Sequence, residues 1–145
     1  MPKPLAIVLP GLFVTLLMAS SPSVMAQEAS SDLLSSSPLD PCTSSLNCVH
    51  EAYLFDRAPS ELAQITMEVL EANKYLDTVT QGAVDHHRID AVFNAWRFKD
   101  DVQIAIEFQE GGSVLFIKSA SRTGKSDLGV NKRRVNGLLK DLTDR

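Results

Sequence analysis

On either side of Gly111-Gly112 apolar residues fall on alternate positions: Val102, Ile104, Ile106 and Phe108 before the glycines, Leu115 and Ile117 after them. A period of two broken by glycine predicts a β-hairpin with one buried face. A turn symmetric about the glycine pair sets Phe108 opposite Leu115, Ile106 opposite Ile117, Ile104 opposite Ser119 and Asp101 opposite Arg122. Gln103, Ala105, Glu107, Phe116 and Lys118 then share the other face, while Ser119 and Ser121 fall on the apolar one.

Elsewhere the period lengthens to three or four. Leu62, Ile65, Val69 and Leu70 share one helical face and Glu61, Gln64, Glu68 and Glu71 the other, so a helix is predicted after Pro59, capped by Ser60 and ended by Asn73. Val135, Leu138, Leu139 and Leu142 make a second stripe at i, i+3, i+4, i+7. Asn131 is the expected cap of that helix, with Val130 and Val135 as a staple around it; a start at Ser126 with Asp127 in the first turn is the alternative. Two more strands, residues 75–80 and 89–98, are predicted between breaks at Gln81-Gly82 and Lys99-Asp100-Asp101. The expected fold is α+β: a four-stranded antiparallel meander with both helices packed on one face, α-β-β-β-β-α.

The N-terminus follows another logic. Lys3 precedes an uncharged apolar run from Leu5 to Ala19, and Val24-Met25-Ala26 offers small residues, so residues 1–26 read as a secretory signal cut after Ala26. The run is shorter than the ~20 residues a membrane span needs and holds Pro10 and Gly11, so no span is expected after cleavage. Residues 27–41, rich in serine and with little to bury, are expected to form a tether, and residues 42–145 one domain. Loss of Lys3 leaves 13 Lys and Arg against 18 Asp and Glu, a net charge of −5. Eight of those basic residues lie from Lys118 onward, so the body is acidic and nucleic acid is not an expected partner.

Cys42 and Cys48, the only cysteines, lie six apart, and in an oxidising compartment they are expected to form a short-loop disulfide. The stretch Phe98-Lys99-Asp100-Asp101-Val102 and the run from Lys118 through Ser119-Ala120-Ser121-Arg122-Thr123-Gly124-Lys125-Ser126-Asp127-Leu128-Gly129-Val130-Asn131-Lys132-Arg133-Arg134 to Val135 resemble the two signature stretches of the domain of unknown function 1499 family. The segment from Cys42 to Val49 is similar to that family's opening, with Thr43 and Leu46 in place of prolines. The resemblance implies an exported or lipid-anchored protein of bacterial or plastid type, hence periplasm, secretion or a thylakoid lumen, and brings no catalytic residues with it.

Candidate chemistry is sparse. Gly124-Lys125-Ser126 lacks the earlier glycine of a phosphate-binding loop, since Ser119 stands there. His50, His86 and His87 are the only imidazoles, and adjacent His86-His87 cannot readily serve one metal. No metal or cofactor is expected. Lys132, Arg133 and Arg134 in the first turn of a helix call for a negative partner, because the helix dipole disfavours cations there. Asp100, Asp101 or Asp127 can supply it from within; an external anion, from a small molecule or an envelope component, is the other source. These residues, with Ser119, Ser121, Arg122, Ser126 and Asn131, form the candidate cluster. A non-catalytic binding or structural module is the first reading; a hydrolase or transferase using Asp100, Asp101, Ser121 and Arg122 is the alternative. A pocket converging on those four would favour the enzyme, and a hairpin end closed by mutual salt bridges the module.

Overall fold

A computed structural model describes residues 26–82 and 87–145. The expected signal therefore lies outside the described residues except for Ala26, as does His86. Six antiparallel strands form one sheet in the order β1-β2-β6-β5-β4-β3, with β1 Gln27–Glu28, β2 Cys48–Phe55, β3 Leu76–Gln81, β4 Ile89–Ala95, β5 Phe98–Gln109 and β6 Gly112–Ser121. Three helices accompany them: α1 Ser31–Ser35, α2 Pro59–Glu71 and α3 Val130–Thr143. The α+β class and the meander from β3 to β6 agree with the sequence reading; the count of four strands and two helices does not.

The longest element absent from that reading is β2, which stands between β1 and β6. Its residues alternate into both faces, Val49, Glu51, Tyr53 and Phe55 toward the helices and Cys48, His50, Ala52 and Leu54 away from them. Each face mixes apolar and polar groups, so no clean alternation marks a strand. Pairing with β6 across some sixty residues of chain supplies what the local pattern lacks.

The charges of Lys99-Asp100-Asp101 are not a break, because β5 begins at Phe98 and runs through them. The reversal is at Trp96-Arg97, where Ala95 pairs with Phe98 and Trp96 takes a left-handed φ of 57°. The β5–β6 register is also two residues from the expected one: Ile104 faces Ile117, Ile106 faces Leu115 and Asp101 faces Ala120. A slip of two leaves every side chain on its face, so the apolar pattern cannot detect it. The turn sets it instead: Gln109 pairs with Gly112, so the two-residue loop is Glu110-Gly111, with Gly111 at a φ of 86°. A Cβ on Gly112 would stand 2.0 Å from the Phe55 carbonyl oxygen, so the close approach of the end of β2 reserves that position for glycine.

Helix α2 starts on Pro59 at its first turn with Ala58 as cap, not on Ser60. Helix α3 starts at Val130 after Gly129, whose φ is 78°, which places Asn131 inside the first turn rather than at the cap. Both helices lay their stripes on one face of the sheet: Leu62, Leu70, Val135 and Leu142 meet Ile104, Ile106, Leu115 and Ile117. The opposite face is not bare. Phe116, Val114, Ala105 and Ala52 form a second small core closed by Leu39, Leu33 and Leu34. Residues 27–41 thus do bury apolar surface, Leu39 being 3 % exposed, and the expectation of a tether is corrected for this segment. The serines that suggested a tether hide three leucines spaced for one short helix and its exit.

Candidate functional site

Because strand residues alternate, Asp100 and Asp101 point to opposite sides of the sheet. Asp100 lies beneath α3, 1 % exposed. Its Oδ2 accepts from Arg134 Nη2 at 2.6 Å, in a pair whose two side chains are both almost wholly buried. Arg134 Nη1 donates to Ser119 Oγ at 3.0 Å and Asn131 Oδ1 at 2.7 Å, and the guanidinium stands 5.1 Å from the centre of the Phe93 ring. The fork satisfies a carboxylate, a hydroxyl and an amide at once, the geometry that suits arginine rather than lysine.

Asn131 is the hub. Its Oδ1 also accepts from Ser119 Oγ at 2.6 Å, and its Nδ2 lies 2.6 Å from Asp127 Oδ2, 3.0 Å from Ser121 Oγ and 3.1 Å from the Asn47 carbonyl oxygen. Two N–H groups serve three acceptors, so at least one bond is shared. Asp127 takes the role expected of an N-cap: Oδ1 accepts from Gly129 N and Oδ2 from Asn131 N, both at 2.8 Å. Burial alone would raise the Asp127 pKa, but the bonds from the Asn131 and Gly129 N–H groups and the Asn131 side chain outweigh it, and the pKa is lowered. The negative group demanded at the start of α3 therefore comes from the chain itself.

The disulfide loop is tied into the same network. Cys42 and Cys48 are bonded, and Asn47 beside them accepts Ser121 N at 3.0 Å and donates from Nδ2 to the Gly124 carbonyl at 2.9 Å. Nothing in the sequence pointed Asn47 or Phe93 to this role; Asn47 joins through its bonds to Ser121, Gly124 and Asn131, and Phe93 from its place in β4. Glu51 was missed likewise, and it is the partner of Lys132. Arg133 donates to the Leu128 carbonyl at 3.0 Å, and Ser126 Oγ accepts from Leu128 N at 3.3 Å.

On the other side of the sheet Arg122 grips Asp101, Nε lying 3.0 Å from both carboxylate oxygens and Nη2 2.6 Å from Oδ1. The two meet diagonally, not directly opposite, and remain 48 % and 46 % exposed. No loop covers them. Asp101's hydrogen bond and charge raise the Arg122 pKa. Here the sheet face carries an open groove of about 370 Å³ lined by Thr78, Thr80, Asp90, Gln103, Lys118 and Arg122. His50, bonded through Nε2 to Ser37 Oγ at 2.9 Å, has its pKa lowered by burial and by Lys118. Among the described residues no group of His, Cys, Asp and Glu side chains is placed to hold a metal, and no helix is long and apolar enough to cross a membrane.

A single sheet is backed by two helices, with a buried polar hub beneath the second, and comparison with known proteins assigns the chain to a family. The chain belongs to the DUF1499 family, described as proteins of unknown function, whose model matches residues 38–142. No curated protein matches it. Among solved structures, the crystal structure of Ara h 8.0201 is similar at 13% identity, with 67% of this chain and 95% of that one covered and a TM-score of 0.48.

Proposed function

We propose that the protein is an exported, non-catalytic binding or structural module of the cell envelope, whose polar cluster braces the fold. The observation that carries this reading is the separation of the four residues the enzyme reading requires. Asp100 and Ser121 lie under α3, each already bonded to Arg134 or Asn131, while Asp101 and Arg122 pair with each other on the far side of the sheet. A nucleophile, a base and an anion-holding arginine would have to converge within hydrogen-bond reach of one reacting atom. Ligand contact is assigned to the open groove, where Lys118 offers charge and Thr78, Thr80 and Gln103 offer hydrogen bonds. An external anion at the start of α3 would have to compete with the Asp127 carboxylate for the N–H groups of Gly129 and Asn131. Export is supported by the signal-like run after Lys3 and by a disulfide, which persists in oxidising compartments.

The test is an assay of the purified chain on chromogenic phosphate, sulfate and carboxylic esters, alongside a melting-shift screen of sugars, phosphates and acidic glycans. The expected result is no turnover above that of the Ser121→Ala and Asp101→Asn variants. Turnover that disappears in both variants while their fold persists would overturn the proposal.

A further inference from the structure

Six large hydrophobic side chains are exposed among the described residues, and five of them, Leu46, Tyr75, Trp96, Phe98 and Leu128, stand at one end of the sheet; Phe108 alone is at the other. The backbone joins the five in a row. Asn94 N donates to the Tyr75 carbonyl, Ala95 pairs with Phe98, Arg122 N donates to the Lys99 carbonyl, and Asp127 N donates to the Leu46 carbonyl next to Leu128. Isolated exposed hydrophobics are ordinary, but collection at one end is not.

Two of the five also sit where the fold would prefer another residue. Trp96 and Leu128 take left-handed φ angles of 57° and 52°, a region that strains large L side chains and favours glycine or asparagine. Trp96 is 88 % exposed and Leu128 84 %, so neither gains burial within the fold in return.

The charge around them is mostly cationic, the one carboxylate beside Leu128, that of Asp127, being held by the N–H groups of Gly129 and Asn131. Lys74 lies 4.9 Å from the Tyr75 ring centre and Arg97 4.6 Å from that of Trp96. Lys125 and Arg133 flank Leu128 in the loop and the first turn of α3. None of these four forms a salt bridge among the described residues, whereas the nearby acids Asp77, Asp101 and Asp100 are taken by Lys99, Arg122 and Arg134. The remainder of the chain is acidic, so an anionic surface would repel the body and attract this end, which fixes an orientation.

We infer that this end of the sheet docks on the interface of an anionic lipid bilayer, with Trp96 and Leu128 entering the headgroup region and Lys74, Arg97, Lys125 and Arg133 facing the lipid phosphates. Aromatic and leucine side chains ringed by cations suit that boundary, where apolar insertion and attraction to anionic lipid act together. A protein interface would instead deplete its centre of lysine. The inference goes beyond the module reading and uses different residues from the polar hub.

Trp96 is the single tryptophan of the chain, so its fluorescence reports on the docking tip alone. The experiment titrates vesicles of phosphatidylcholine, with and without phosphatidylglycerol, into the full chain and into the chain from Gln27, so that the apolar run from Leu5 to Ala19 cannot carry the result. Expected is a blue shift with the anionic vesicles, screened by salt, and quenching by lipids brominated near the headgroup. Joint Arg97→Glu and Lys125→Glu substitution should weaken binding by at least about tenfold. Leu128→Gly should weaken it while leaving the melting midpoint unchanged or higher, since it relieves the left-handed backbone. Phe108→Ser, at the opposite end, should change nothing. Absence of any shift with anionic vesicles at low salt would overturn the inference. So would a shift indifferent to these substitutions, or one that follows protein concentration without lipid and accompanies a dimer in sedimentation.

Discussion

Asp100 and Asp101 are chain neighbours with the same side chain and each an arginine partner, yet the molecule uses them in opposite ways. The first is sealed under a helix with Arg134, which also holds Ser119 and Asn131; the second holds Arg122 at the surface, with about half of each side chain in water. An exposed pair, even a bidentate one, is screened by solvent and constrains little. A buried pair is costly to assemble and far more costly to break, because either partner alone is a charge without a counter-charge in a dry site. Alternation along one strand thus separates a fold-determining contact from a surface contact across a single peptide bond.

The largest effect should come from breaking the buried side. Arg134→Ala leaves Asp100, Ser119 and Asn131 short of a partner and should cost about 3–5 kcal/mol in denaturant unfolding. Adding Asp100→Asn should recover part of that loss, and a double variant no better than the sum of the singles would show the two charges to be uncoupled. Next, reduction of the disulfide or Cys42→Ser should cost about 2 kcal/mol in the chain-entropy model. Hydrogen exchange should then rise at Ser121, whose N–H is held by Asn47 beside the disulfide, with no matching rise along β3.

Asp127→Ala should cost about 1 kcal/mol, the ordinary value of a helix cap. Its pH dependence has a definite sign. A carboxylate whose folded pKa is lowered stabilises above its ordinary value of 3.8 and loses that contribution as pH falls from there toward its folded value. The gap between the native chain and Asp127→Ala should therefore be full at neutral pH and narrow below about pH 4. A gap that stays constant into acid would show the carboxylate charge to be irrelevant to the cap. Smallest of all should be Arg122→Ala: the unfolding midpoint should barely move, and less so in high salt. A loss comparable to that of Arg134→Ala would erase the contrast between the two aspartates.

Much of the frame was legible from one dimension. The stripes at Leu62 to Leu70 and Val135 to Leu142 announced α2 and α3, and alternation from Val102 to Ile117 told which face of the last hairpin is buried. The cysteine spacing and the run from Lys118 to Val135 pointed to the disulfide and the family. The contact between Asp101 and Arg122 was also anticipated, though from a register two residues out.

Most of what escaped has a common cause. Strand β2 mixes apolar and polar groups on both faces, so only its pairing with β6 makes it a strand. The hairpin register is invisible to any pattern of period two; it goes with the two-residue turn at Glu110-Gly111, which pairs Gln109 with Gly112. Asp100 and Asp101 read alike as a turn signal until α3 covers one and leaves the other in water. Local periodicity, capping residues and cysteine spacing depend on neighbours along the chain, and these the sequence determined by itself. Burial of a charge and the hub around Asn131 depend on groups brought together from distant segments, whose worth is set by exclusion of water, and water is excluded only once the tertiary structure has closed.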